Sequence, residues 1–401
     1  MRISISKGAM RTVLVLPMLA LLLAASPQLP SVLSDPTTNE GWIWDQVQAG
    51  ELADLDDRCG SPPPDRDEHE YRRWLAPCRR VDPTLLRALL TQPDLAEHAP
   101  HGVQIANAYV DDDLDLANAH VTAPELGVFD SSVNGSVLLK NARVDGDLIF
   151  DGSRIDGDFQ GYHAWIAGLL SLDDASIGGE TGGDTIEVGK GHFMTKANFA
   201  GRVTLRGGQI HVQLRMEKAE VANGQEFEAM GLHVGPYAMS LQGAVFSGPV
   251  NLEMAHVDGR MWMNNVSIAP GQSFTADGLY VGSGGFFLDR AELGGPVTLR
   301  NMTVDSSLSL WDAHVGRLDL EGSAVKDGRL QFPRCRLGVA VDADRHADSV
   351  LRTRRARCQA GPLHDGCEPR STAQITSVVL WGEPPPGFAA DKPECRIQRL
   401  L

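Results

Sequence analysis

Residues 131–177 read SSVNGSVLLKNARVDGDLIFDGSRIDGDFQGYHAWIAGLLSLDDASI. A short apolar–any–apolar unit closes at Val133, Leu139, Val144, Phe150, Ile155, Gly161, Ile166, Leu172 and Ile177. The steps between these residues alternate between six and five, so the pattern returns every 11 residues and again every 22. Self-similarity at a fixed period marks a solenoid. Within each unit the outer side chains point one way and the middle one the other, because strand side chains alternate with period two. Two such units of 11 suit one turn of a parallel β-helix with four short faces.

The stitch runs outward from this stretch to Val103 and Leu337. The first apolar position of alternate units is small, as at Ala142, Ser153, Ala164, Ala175, Ala197 and Ala219. Large and small side chains therefore alternate around the bore, which fills a narrow interior without overpacking. The step of six leaves a three-residue corner whose middle residue is often glycine, as at Gly135, Gly146, Gly157, Gly168, Gly201, Gly248, Gly259 and Gly295. A glycine there is expected to supply a positive φ, with Asp or Asn before it bonding its own backbone. Irregular spacing at Gly178–Lys190, Ala222–Glu226, Ala269–Ser273 and Gly282–Gly285 is expected to mark insertions at corners. About ten coils at ~4.8 Å strand spacing make a rod about 50 Å long.

Units such as Ala142-Arg143-Val144 and Leu148-Ile149-Phe150 resemble the pentapeptide-repeat family and its diverged relatives, in which a small and a large residue recur two apart. The likeness covers residues 103–337 and departs from the strict five-residue beat by alternating with six. It implies an all-β solenoid, a right-handed parallel β-helix of about ten 22-residue coils closed by small caps. No dinucleotide, flavin or haem signature accompanies it. The gyrase-mimic role known for some members of that family would require a cytosolic chain.

Export is the stronger expectation. Residues 1–26 combine Arg2, Lys7 and Arg11 with an apolar run from Thr12 to Ala25, short for a membrane span and suited to a secretory signal or a retained membrane tether. Six cysteines suit an oxidising compartment, the periplasm or the extracellular space. Cys59 and Cys78 are expected to pair, with Cys335, Cys358, Cys367 and Cys395 bridged locally. Residues 27–101 are expected to cap the first coil, 102–338 to form the solenoid, and 339–401 to cap its end. In the first cap Asp82-Pro83 opens a helix whose apolar face is Leu85, Leu86, Leu89 and Leu90. In the second, a helix is expected near Ala343–Arg357 and a strand at Gln374–Trp381. A net charge of −16 argues against nucleic acid as a partner.

Sorting the outward middle residues by face separates the candidate sites. One face carries Ile149, Ser171, Phe193, Arg215, Ser240, Trp262 and Phe287, with Trp311 just beyond the next coil. Exposed aromatics on a flat sheet suit a sugar ring or a protein partner, unless an insertion or the tail with Trp381 covers them. A second candidate is a column of Asp112, Asn134 and Asp156, flanked by Asp158, whose stacked oxygens suit Ca²⁺ or are ordinary corner chemistry. A third, His233 beside His256, lacks an evident further metal ligand. A polysaccharide-active enzyme, a lyase or hydrolase, is the rival reading; it would need Arg143, His163, Asp173 and Asp174 gathered at one edge. No nucleophile-elbow, zincin or phosphate-loop motif occurs. The expectation is a non-enzymatic scaffold that binds a protein or glycan through its aromatic face.

Overall fold

A period of 22 sets each residue beside its counterpart one coil on, and backbone hydrogen bonds then run from coil to coil. In the computed structural model Arg143 lies beside Trp165, and Trp165 beside Glu187, in parallel register. Residues 31–60 and 77–326 are described, with the two-residue strands Leu330–Gln331, Arg336–Leu337 and Ala373–Gln374. The result is a parallel β-solenoid of about ten coils with four faces. The first face carries Ser132, Arg154, Ser176 and Asn198 outward, and the second Leu138, Gln160, Gly182 and Thr204. The third runs from His120 to Ala324. The fourth runs from Gln104 through Ile149, Phe193, Trp262 and Phe287 to Gln331. Strands Glu292–Thr298 and His314–Asp319 pass through a corner unbroken, joining the first two faces into one sheet.

The bore is mostly apolar, with Ser131, Ser153, Thr181 and Ser323 among its smaller inward residues. Phe150, Ile155, Leu172 and Val188 are all fully buried, each contributing roughly 1.5–3 kcal/mol of apolar burial. Large rings interlock across corners, Phe150 meeting Phe159 edge-on at 5.9 Å. One polar residue, His192, interrupts the column between Leu170 and Leu214.

The two corner types use backbone freedom differently from the sequence expectation. None of Gly135, Gly146, Gly157, Gly168, Gly201, Gly248, Gly259 or Gly295 has a φ in the left-handed range. They are glycine because successive coils touch there: a Cβ on Gly146 would lie 2.1 Å from the Pro124 carbonyl oxygen. Positive φ occurs instead at the two-residue corners of the five-step, at Asn118, Asn141, His163, Thr185 and Gly207. Insertions do occupy Ala222–Glu226, Ala269–Ser273 and Gly282–Gly285. The Gly178–Lys190 stretch is regular, Ile177 pairing with Phe199 and Val188 with Ile210. Two further insertions, at 122–125 and 235–238, emerge from the registers of Leu126 with Leu148 and of Leu214 with Met239.

The N-terminal cap continues the coil with strands of its own. Ala53–Asp54 pairs with the fourth face at Ile105, and Arg80–Val81 pairs with the first at Tyr109–Val110. These strands cover the edge that the first coil would otherwise expose. Helix α1 (Asn39–Ala49) is capped by Thr38 and ends at left-handed Gly50, and α2 spans Leu55–Cys59. Helix α3 (Pro83–Thr91) starts as its sequence indicates: the Asp82 side chain accepts from the Thr84 N–H, and Leu85, Leu86, Leu89 and Leu90 are buried. Cys59 and Cys78 form a disulfide with Cα atoms 6.0 Å apart. Buried Arg79 ties the cap together, pairing with Asp56 at 2.6 Å and donating to the carbonyls of Asn107 and Gly60. Arg79→Met is expected to cost about 1–2 kcal/mol by leaving those acceptors short of donors, read as a lower denaturation midpoint with a retained β-sheet circular dichroism spectrum. Residues 1–26, Cys335, Cys358, Cys367, Cys395 and the helix expected near Ala343–Arg357 lie outside the described residues. Ala373–Gln374 forms a short strand antiparallel to Ala324–Val325.

Candidate functional site

The fourth face presents an outward column of Phe193, Arg215, Ser240, Trp262, Phe287 and Ser309 in continuous register. Phe193, Arg215, Ser240, Trp262 and Phe287 follow one another as the sequence pattern indicates. The Phe193 and Phe287 rings lie back against the strand. Phe193 covers Gly191 and Phe287 covers Gly285, where an added Cβ would meet the ring at 2.7 and 3.2 Å. Arg215 stacks on Phe193 at 5.4 Å. Arg260 stacks on Trp262 at 4.9 Å and reaches Phe287 at 5.9 Å. Its Nε also donates to the Gly284 carbonyl at 2.9 Å, which fixes the guanidinium plane. Trp311, at the corner one coil further, is 40% exposed.

Two members of this surface escaped the face sorting. Tyr237 is 71% exposed and belongs to the corner insertion 235–238, whose carbonyl accepts from the Arg260 N–H. Arg260 is the residue before the inward Met261, a position the middle-residue sorting passes over. Arg260, Trp262 and Phe287 form a stacked apolar and cationic set, with Tyr237 and Trp311 exposed on the coils to either side. The serines of this column are buried and donate to acids, Ser171 to Asp151 and Ser309 to Asp289 at 2.5 Å and Ser240 to Glu217 at 2.9 Å. Burial raises the Asp151 carboxyl above the usual range despite that bond.

Corner acids have a regular task. Asp147, Asp151, Asp158, Asp184, Asp277 and Asp289 each accept the backbone N–H of the matching corner residue one coil on, at 2.8–3.0 Å. They satisfy donors that no strand pairs, the sheet counterpart of a helix cap. The proposed calcium column meets this fact directly. Asp158 is one of these caps, Asp156 pairs with Arg154 at 2.6 Å, and Asp112 accepts from the adjacent Asp113 N–H. The stacking partner of Asn134 is also Asp111 rather than Asp112, because Val110 pairs with Val133. The four-residue corner 122–125 makes that coil one residue longer.

The acid–base set of the enzyme reading is dispersed. His163 sits at the corner between the second and third faces in contact with Thr185. Asp174 lies at the corner between the fourth and first faces, paired with Lys196 at 3.1 Å, while Arg143 is on the third face over Trp165 at 4.3 Å. Tyr162 is pushed up to about 12 by burial and its bond to Glu180.

The third face does bring a set together. His233 and His256 are neighbours in register, and the Asp258 carboxylate bridges both Nε2 atoms at 3.1 and 2.9 Å. Among the described residues this is the one group of three His, Cys, Asp or Glu whose ligand atoms lie within 4.8 Å of one another. Tyr280 stacks on His256 at 4.3 Å and donates to Asp305. Lys326 and that bond hold the Asp305 carboxyl below the usual carboxylate range, and Asp305 raises the phenol. No protein-family model matches the chain, nor does any curated protein or solved structure.

Proposed function

We propose that the chain is an exported, non-enzymatic binding scaffold whose fourth face captures a glycan or protein partner. The observation that carries this reading is the stack of Arg260 on Trp262 and Phe287, with Tyr237 and Trp311 exposed on the coils to either side. Rings and a guanidinium held in place offer stacking surfaces with little conformational entropy left to lose on binding. The basic and apolar start of the chain and the Cys59–Cys78 disulfide support export to the periplasm or beyond, with the N-terminal segment as signal or tether. Among the described residues no helix is long and apolar enough to cross a membrane. The alternating small and large bore positions support a distant pentapeptide-repeat kinship.

Intrinsic tryptophan fluorescence, titrated with soluble envelope and extracellular glycans and followed by crosslinking in host envelope extract, tests the reading. The expected result is saturable capture that Trp262→Ala with Phe287→Ala weakens by about 2 kcal/mol or more, the scale of an interface hot spot. Undiminished capture by the double variant would discard this face. Release of new reducing ends from any glycan would discard the non-enzymatic reading instead.

A further inference from the structure

The geometry points to a divalent transition-metal site on the third face, built from His233, His256 and Asp258 and independent of the aromatic platform. Both imidazoles aim Nε2 at the same carboxylate, so three ligand atoms converge on one small volume. Two imidazole nitrogens and one carboxylate oxygen form a donor set for Zn²⁺ or Cu²⁺, with coordination positions left for water; Ca²⁺ and Mg²⁺ prefer oxygen alone. On binding, the ion takes the place of the Nε2 protons, and each ring carries its proton on Nδ1.

The fold prepares this arrangement. The two histidines are locked in register on adjacent strands, with their rings edge-to-face at 5.0 Å. Tyr280 on the following coil stacks against His256 and is itself tied to Asp305, so the His256 ring plane is set before any ligand arrives. Asp258 stands between Gly235 and Gly282 at the corresponding corner positions of the coils on either side. Neither of those two positions therefore sets a side chain beside the carboxylate. All three ligands are exposed to solvent.

An internal repeat of the motif isolates the chemistry from the architecture. At the start of the same face His120, Arg143 and Trp165 stand in the register of His233, His256 and Tyr280. Asp145 takes the place of Asp258, accepting from His120 at 2.8 Å and Arg143 at 3.1 Å. Arg143 stacks on Trp165 at 4.3 Å, the same separation as His256 on Tyr280. Both sets clamp two coils with one carboxylate. Only the second has two metal-ligating rings, since a guanidinium does not coordinate.

Titration of the full-length chain with Zn²⁺, competed against a chromophoric chelator, is expected to show one ion bound at this face. Electron paramagnetic resonance of the Cu²⁺ form is expected to show coupling to imidazole nitrogen. His256→Arg converts the set into the arrangement the protein already folds with at Arg143. It is expected to leave the thermal midpoint unchanged while weakening Zn²⁺ by more than the roughly 10–100-fold that losing a mere supporting partner costs. Arg143→His is expected to add a second ion. Unchanged affinity in His256→Arg, no saturable Zn²⁺ uptake by the wild type, or no added ion in Arg143→His would each overturn the assignment.

Discussion

His192→Leu is expected to stabilise the solenoid by about 1–3 kcal/mol near neutral pH, the usual cost of burying an unsatisfied polar group. The advantage is expected to grow in acid. His192 is 1% exposed, in an inward column between Leu170 and Leu214, and neither ring nitrogen has a hydrogen-bond partner among the described residues. Burial alone pushes its pKa from 6.5 down to about 3. The unfolded chain therefore takes up a proton as pH falls below about 6.5, while the folded chain resists until about 3. Stability must fall with pH across that window, by roughly 1.4 kcal/mol per unit for this group. Near pH 4.5 the wild type will have lost about 2–3 kcal/mol that the leucine variant retains. Urea midpoints of both chains, taken near pH 7 and near 4.5, measure the difference. Equal gaps between the chains at the two pH values would show that the imidazole is not held neutral in the bore.

The same histidine shows where sequence reading reaches and where it stops. Its place in the bore follows from the 22-residue period alone, because Leu170 and Leu214 flank it at that distance. The four faces were legible for the same reason: a one-residue slip in a β-coil would turn a whole apolar column outward, so the apolar pattern reports register directly. Local deviations from the period were less legible. One extra residue in the corner 122–125 moves Asp111 under Asn134, and nothing in the composition of Thr122-Ala123-Pro124-Glu125 announces it. Corner chemistry was harder still. A glycine required by the carbonyl of the next coil and a glycine required by a left-handed φ look identical in sequence, since contacts across coils decide which is which. Asp258, two residues after His256, was within reach of an H-x-D reading. Sorting only the middle residue of each unit hid it, as it hid Arg260 beside Trp262.

That distinction between glycines yields the second large effect. Gly201→Ala is expected to destabilise the solenoid at the upper end of the about 1–3 kcal/mol that overpacking costs. Gly207→Asn, six residues on, is expected to stay within about 0.5 kcal/mol of the wild type. At Gly201 a Cβ would lie 2.2 Å from the Gly179 carbonyl oxygen and 2.5 Å from its carbon, both backbone atoms of the neighbouring coil. Neither can move without breaking the ladder that holds successive rungs together. Gly207 has a φ of 61° and nothing nearer its Cβ direction than a Thr185 methyl at 3.6 Å. Asn118, Asn141 and Asn301 already occupy the equivalent corner of other coils at φ of 54–56°, a conformation asparagine tolerates better than most residues. The lost entropy of glycine in the unfolded chain even favours the substitution slightly. Hydrogen exchange sharpens the comparison, because a solenoid is a stack of nearest-neighbour interfaces. Gly201→Ala should accelerate exchange most at the amides of the two coils that meet there, Val203 and Thr181 among them, while Gly207→Asn leaves those amides at wild-type rates. Equal loss in both variants would mean that backbone freedom, rather than contact between coils, selects glycine at the three-residue corners.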